Sequence, residues 1–116
     1  MEYSYAEYVP VLKALSDETR LKIVDMLSGA GQSGSLCACK ILEEFSITQP
    51  TLSYHMKILK NCGIVVGTRD GAWMHYRLNR ESVDAFLNYV TDLTAQKPGA
   101  NEDRCGCGSD GQEKKI

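Results

Sequence analysis

Residues 48–62, Thr-Gln-Pro-Thr-Leu-Ser-Tyr-His-Met-Lys-Ile-Leu-Lys-Asn-Cys, followed by Gly63, leave the chain less conformational choice than any other stretch. Thr48 is an N-capping residue, and Pro50 falls in the first turn, where a missing N–H costs little. Gly63 can take the left-handed position past the last turn. Leu52, Met56 and Leu59 recur at i, i+4 and i+7 and form one apolar stripe. The other face carries Gln49, Thr51, Ser53 and Tyr54, then Lys57 and Lys60. Hydrogen-bonding groups first and cations later suit a helix that reads base edges with its N-terminal end and grips phosphate along its flank. An ordinary solvated face would look the same, so this helix alone does not decide the function.

The flanking segments supply a setting. Residues 3–15 form a first expected helix with Tyr5, Val9, Leu12 and Leu15 on its apolar side, and Pro10 is expected to start or kink it. Ser16 is expected to cap a second helix with Asp17 and Glu18 in its first turn and Leu21, Val24 and Leu27 as its stripe. The Gly- and Ser-rich run 28–34 breaks the pattern. Ser35 can cap a short third helix over 36–45, with Ile41, Leu42 and Phe45 inward, and Ser46-Ile47 leads into the central helix. A short helix, a brief turn and a capped helix make a helix-turn-helix.

After Gly63 the period changes to two. Residues 64–69 and 73–79 flank Asp70-Gly71 as a β-hairpin, with Met74, Tyr76 and Leu78 on one face and Trp73, His75 and Arg77 on the other. Residues 81–95 are a last amphipathic helix through Val83, Phe86, Leu87, Val90 and Leu93. The expected fold is mainly α with a small β-hairpin. It is a winged helix-turn-helix of about five helices and a two-stranded wing over residues 1–96, with a flexible cysteine-containing tail over 97–116.

A chain of 116 residues has room for one domain with a modest core. Its net charge of −2 argues against a nucleic-acid partner, but its distribution argues for one: residues 48–80 carry a local +4 on an otherwise acidic body. The N-terminal residues lack the basic and apolar regions of a secretory signal, and no apolar run reaches the roughly 18 residues of a membrane span. A cytoplasmic protein with reduced thiols is expected.

Leu15-Ser-Asp-Glu-Thr-Arg-Leu-Lys-Ile-Val24, Leu36-Cys-Ala-Cys39, Thr48-Gln-Pro, Leu52-Ser-Tyr-His-Met-Lys-Ile-Leu59 and Gly71-Ala-Trp-Met-His-Tyr-Arg-Leu78 occur in that order. In these segments the chain resembles the ArsR/SmtB family of winged-helix, metal- or metalloid-responsive transcriptional repressors. The resemblance implies a homodimer built on the first and last helices, bound to double-stranded operator DNA with a recognition helix in each major groove. It implies that Gln49, Thr51, Ser53 and Tyr54 face bases and that Arg69 on the wing approaches phosphate or the minor groove. His55, on the side of Leu52 and Leu59, is expected to pack rather than to contact a base. His75 is expected on a solvated wing, and Trp73 over the core or the dimer edge.

Cys37-Ala-Cys39 is the second functional element. Buried cysteines are commonly inert, and a lone C-x-C is a weak signal. At this place the resemblance implies a thiolate site for the inducers As(III) and Sb(III), or for Cd(II) and Pb(II), in keeping with the preference of soft thiolates for soft ions. Inside a helix, residues i and i+2 point about 200° apart, so chelation is expected to require an unwound or frayed first turn. One pattern in the family has a third cysteine where this chain has Leu42. Cys62 is expected to be structural, which leaves Cys105 or Cys107 as a possible third ligand. The last helix has Glu81, Asp84 and Asp92 but no histidine, which argues against a zinc sensor of the family's other type. Two further classes stand beside this reading. One is a redox-responsive DNA binder whose cysteines form a disulfide. The other is a thiol enzyme, which the chain equips with neither C-x-x-C nor a paired base.

Overall fold

Ser16 and Asp17 separate the first two helices. The Ser16 hydroxyl donates to the Lys13 carbonyl at 2.8 Å and so finishes α1 (Tyr5–Leu15). Asp17 is the cap of α2 (Glu18–Ser28): its backbone is extended and its carboxylate accepts from the Arg20 N–H at 3.0 Å. The cap expected at Ser16 therefore lies one residue later. The computed structural model describes residues 5–31 and 34–98. After α2 come β1 (Ser35–Cys37), α3 (Ala38–Glu44), α4 (Gln49–Asn61), β2 (Val65–Asp70), β3 (Trp73–Leu78) and α5 (Arg80–Thr94). No helix among the described residues is long and apolar enough to cross a membrane.

The central helix forms as its sequence dictates. Thr48 Oγ1 accepts from the Thr51 N–H at 3.3 Å, Pro50 lies in the first turn, and Gly63 has φ +92°. Leu52, Met56 and Leu59 are fully buried. Beyond Gly63, Ile64 and Val65 enter the core, and β2 pairs antiparallel with β3 through a two-residue turn at Gly71-Ala72. Positive φ at Gly71 and not at Ala72 is the pattern of a type II′ turn. Tyr76 and Leu78 face inward with Met74 half-buried beside them, as the alternation requires. Gly67 opposes Tyr76, and a Cβ there would stand 3.0 Å from the Tyr76 ring.

Several expectations are corrected. The helix expected over 36–45 is shorter, because Ser35–Cys37 is extended and pairs with β3, giving a three-stranded sheet of order β1-β3-β2. On α1 the residues packed into the core are Tyr8, Val11 and Ala14, while Tyr5, Val9 and Leu12 are exposed. Tyr8 stacks on Tyr89 of α5 at 4.3 Å, and this contact fixes which side of α1 turns inward. Pro10 lies inside α1 rather than starting it, and removes one backbone donor there. On α2 the buried residues are Ile23 and Leu27, with Val24 half-buried and Leu21 half exposed. Arg20 shares the inward face of Ile23 and Leu27, one turn earlier. On α5, Phe86 and Tyr89 are buried, whereas Leu87 and Leu93 stay exposed.

Candidate nucleic-acid interface and thiol site

Burying Leu52, Met56 and Leu59 turns the opposite face of α4 outward. Gln49, Thr51, Ser53, Tyr54, Lys57 and Lys60 are all exposed, and the Tyr54 ring is 61% exposed. The Thr51 hydroxyl also accepts from Thr48 Oγ1 at 3.0 Å, so its position is tied to the cap. Arg69 is exposed near the tip of β2, a strand that packs against α4. No acidic side chain lies on α4, so its cations stand uncompensated along the helix.

His55 lies at the edge of that face, with its side chain 12% exposed. Its Nδ1 lies 3.0 Å from a terminal guanidinium nitrogen of Arg20 and 4.0 Å from an Asp17 carboxylate oxygen. Arg20 Nε donates to the Ala14 carbonyl at 2.7 Å. One arginine thus joins the end of α1, the start of α2 and the middle of α4. Sequence reasoning found the packed histidine but missed Arg20. Its position one turn before Ile23 on the inward face was the available signal.

The thiol site begins where β1 ends. Cys37, with φ −68° and ψ 144°, is the N-cap of α3, and its sulfur accepts from the Cys39 N–H at 3.3 Å. Cys39 Sγ lies 2.6 Å from Cys37 Sγ. The expectation that the two sulfurs diverge assumed that both residues are helical. Cys37 is not, so they converge with no turn unwound. The hydrogen bond from the Cys39 thiol, helped by the backbone N–H groups of Cys39 and Lys40, holds the Cys37 thiol below its ordinary value against burial and the charge of Asp70. Donating that bond, with burial, raises the Cys39 thiol. The arrangement therefore favours ionisation of Cys37 before Cys39.

His75 lies directly across the sheet from Cys37, with Thr68 on its other side. It is half-buried, and its Nε2 is 3.7 Å from Asp70. Trp73 is 41% exposed at the strand's outer end, opposite Asp70, rather than over the core. Cys62 donates to the Leu59 carbonyl at 3.3 Å and packs on the core. Among the described residues no three histidine, cysteine or carboxylate groups converge to hold a metal ion. Cys105 and Cys107 lie outside the described residues.

A capped helix with an exposed polar and basic face, a short helix before it and a hairpin after it define a winged helix-turn-helix DNA-binding protein. The model for bacterial regulatory proteins of the arsR family matches residues 17–66. The chain is 40% identical over 104 residues to an arsenical resistance operon repressor of Staphylococcus xylosus, covering 90% of this chain and 91% of that one. It is 39% identical over 96 residues to one of Bacillus subtilis, covering 83% and 89%. An ArsR-like transcriptional regulator from Rhodococcus sp. RHA1 superposes with a TM-score of 0.66 at 27% identity, covering 86% of each chain. The chain belongs to the arsR family of bacterial regulatory proteins. It is a transcriptional regulator and not an enzyme.

Proposed function

We propose that this regulator is a repressor that binds operator DNA as a homodimer and lets go when As(III) or Sb(III) is taken up by Cys37 and Cys39. The observation that carries the reading is the meeting of two sulfurs at the N-cap of the helix that precedes α4, one of them with its ionisation favoured by the other. A soft thiophilic ion suits that donor set, and Cd(II) and Pb(II) belong to the same ligand class. The names of the relatives favour the metalloid.

Chelation takes the Cys37 sulfur away from the Cys39 N–H and displaces the protons of the two thiols. The cap of α3 is then lost. Strand β1, which ends at the same residue, is pulled with it against β3 of the wing. The elements on both sides of α4 move, and DNA-competent geometry competes with metalloid binding. By linkage each ligand weakens the other by one coupling energy, typically about 1–3 kcal/mol.

The dimer rests on the exposed stripe of Tyr5, Val9 and Leu12 on α1 with Leu87 and Leu93 on α5, large apolar groups that a second copy would cover. Its two α4 helices then enter successive major grooves about one helical turn, roughly 34 Å, apart. Gln49, Thr51, Ser53 and Tyr54 face bases, Lys57 and Lys60 face phosphate, and Arg69 on the wing approaches phosphate or the minor groove.

Release of operator, titrated with arsenite, antimonite, cadmium and lead, tests the reading. Cys37→Ser and Cys39→Ser proteins should bind operator normally and keep it when arsenite is added. A Cys37→Ser protein that lets go at wild-type arsenite levels would place the sensor elsewhere. A redox reading draws on the same sulfur contact: peroxide would then release operator through a Cys37–Cys39 disulfide, with no metalloid taken up.

A further inference from the structure

A guanidinium has donors and no acceptor, so the 3.0 Å contact with Arg20 makes His55 Nδ1 the acceptor. A neutral ring that accepts at Nδ1 carries its proton on Nε2. That N–H has no acceptor among the described residues, although the side chain is only 12% exposed. A donor without a protein partner, on a side chain this little exposed, calls for an explanation. His55 borders the exposed face of α4: Thr51 is one turn before it, and Tyr54 packs edge-on to its ring at 5.2 Å between centroids.

We infer that Arg20 locks His55 in the Nε2–H tautomer and that this N–H donates to a phosphate oxygen of the DNA backbone when α4 lies in the groove. A phosphate oxygen is an acceptor only, which matches a ring edge that can only donate. The charged groups that face the ring from α2, Arg20 and Asp17, both stand on the Nδ1 side, so neither competes for Nε2–H. Arg20 is held in turn by the Ala14 carbonyl at 2.7 Å, so the ring edge is aimed by the junction of α1 and α2. His55 therefore fixes the depth and rotation of α4 on the duplex without reading sequence. This rests on α4 being the DNA-facing helix, as proposed above.

The test uses two substitutions that divide the imidazole. His55→Asn keeps an acceptor near the place of Nδ1 and loses the donor. His55→Gln keeps a donor near the place of Nε2 and loses the acceptor. Affinities for operator and for an unrelated duplex are measured across a salt series, with Lys60→Ala as the reference for a cationic phosphate contact. The Asn protein should bind both duplexes about tenfold more weakly, as expected for a hydrogen bond to a charged group. Its salt slope should be unchanged, because a neutral donor displaces no counterion, whereas Lys60→Ala should flatten the slope by about one. The Gln protein should stay within about threefold of wild type. Nitrogen NMR of the wild-type ring, which needs no substitution, should show Nε2 protonated and Nδ1 bare, free and on DNA. An Asn protein that binds like wild type would overturn the inference, as would a ring protonated on both nitrogens in the complex. A loss confined to operator would also overturn it, by making His55 a base contact. If Lys60→Ala leaves affinity and slope untouched, the fault lies with α4 as the DNA face instead.

Discussion

At the scale of single residues, Cys37 and Cys39 differ in chemistry although they share a sequence motif. The Cys39 thiol donates to Cys37, which favours the Cys37 thiolate and disfavours ionisation of Cys39 itself. Cys37 therefore enters its reactive form at lower pH than an ordinary thiol near 8.5, and Cys39 at higher pH. Iodoacetamide labelling followed by peptide mass mapping across neutral pH should modify Cys37 first, with Cys39 lagging until the solution is alkaline. Cys39→Ala removes the donor, so the labelling of Cys37 should slow and shift to higher pH. Equal rates for the two cysteines at every pH would mean that no proton is shared. Under the proposed mechanism the same asymmetry makes Cys37 the sulfur that gives up its proton more readily when a soft ion arrives.

Among the elements, α4 was legible because its cap, proline, closing glycine and apolar period all specify the same helix, and its exposed face follows from the buried one. The hairpin was legible from its alternation, although its two-residue turn falls at Gly71-Ala72, one residue later than the expected Asp70-Gly71. Strand β1 was not: three residues carry no period, and its partner, β3, lies some forty residues away, with Ser35 opposite Arg77. That miss decided the thiol site, because ending β1 at Cys37 turns two divergent helical positions into a cap and its first turn. The inward side of α1 was hidden because the helix is apolar on two sides, and tertiary packing, including the stacking of Tyr8 on Tyr89, distinguishes them. The two classes of side chain on α4 can be separated by experiment. Ser53→Ala and Tyr54→Ala should each lower preference for operator over unrelated DNA, by about 1–3 kcal/mol for a direct base contact. Lys60→Ala should weaken both duplexes alike and flatten the salt dependence. Identical behaviour of the two classes would mean that the face is not divided between bases and phosphate.

Across the whole molecule α3 joins the thiol pair to α4, so under the proposed mechanism the number of sulfurs on the metalloid bears on how firmly the switch is thrown. Trivalent arsenic favours three thiolates, and the described residues bring only two together. Leu42, where one family pattern has its third cysteine, is half-buried against the core, and Cys62 is committed to the Leu59 carbonyl. The remaining cysteines of the chain are Cys105 and Cys107. About ten residues separate them from Gln96, a reach of up to roughly 30 Å when extended. The entropy of closing such a loop grows only slowly with its length, so the span does not disqualify them. We expect either thiol to complete the site, on its own protomer or on the partner. Single serine substitutions at 105 or 107 should then be mild, because each leaves the other thiol. The double substitution, or truncation after Lys97, should require clearly more arsenite for operator release while leaving DNA affinity unchanged. X-ray absorption at the arsenic edge should count three sulfurs in the intact protein and fewer once both thiols are gone. Three sulfurs and an unchanged release curve in the double mutant, measured without added thiol, would exclude both tail cysteines and leave Cys62 as the remaining source of the third ligand.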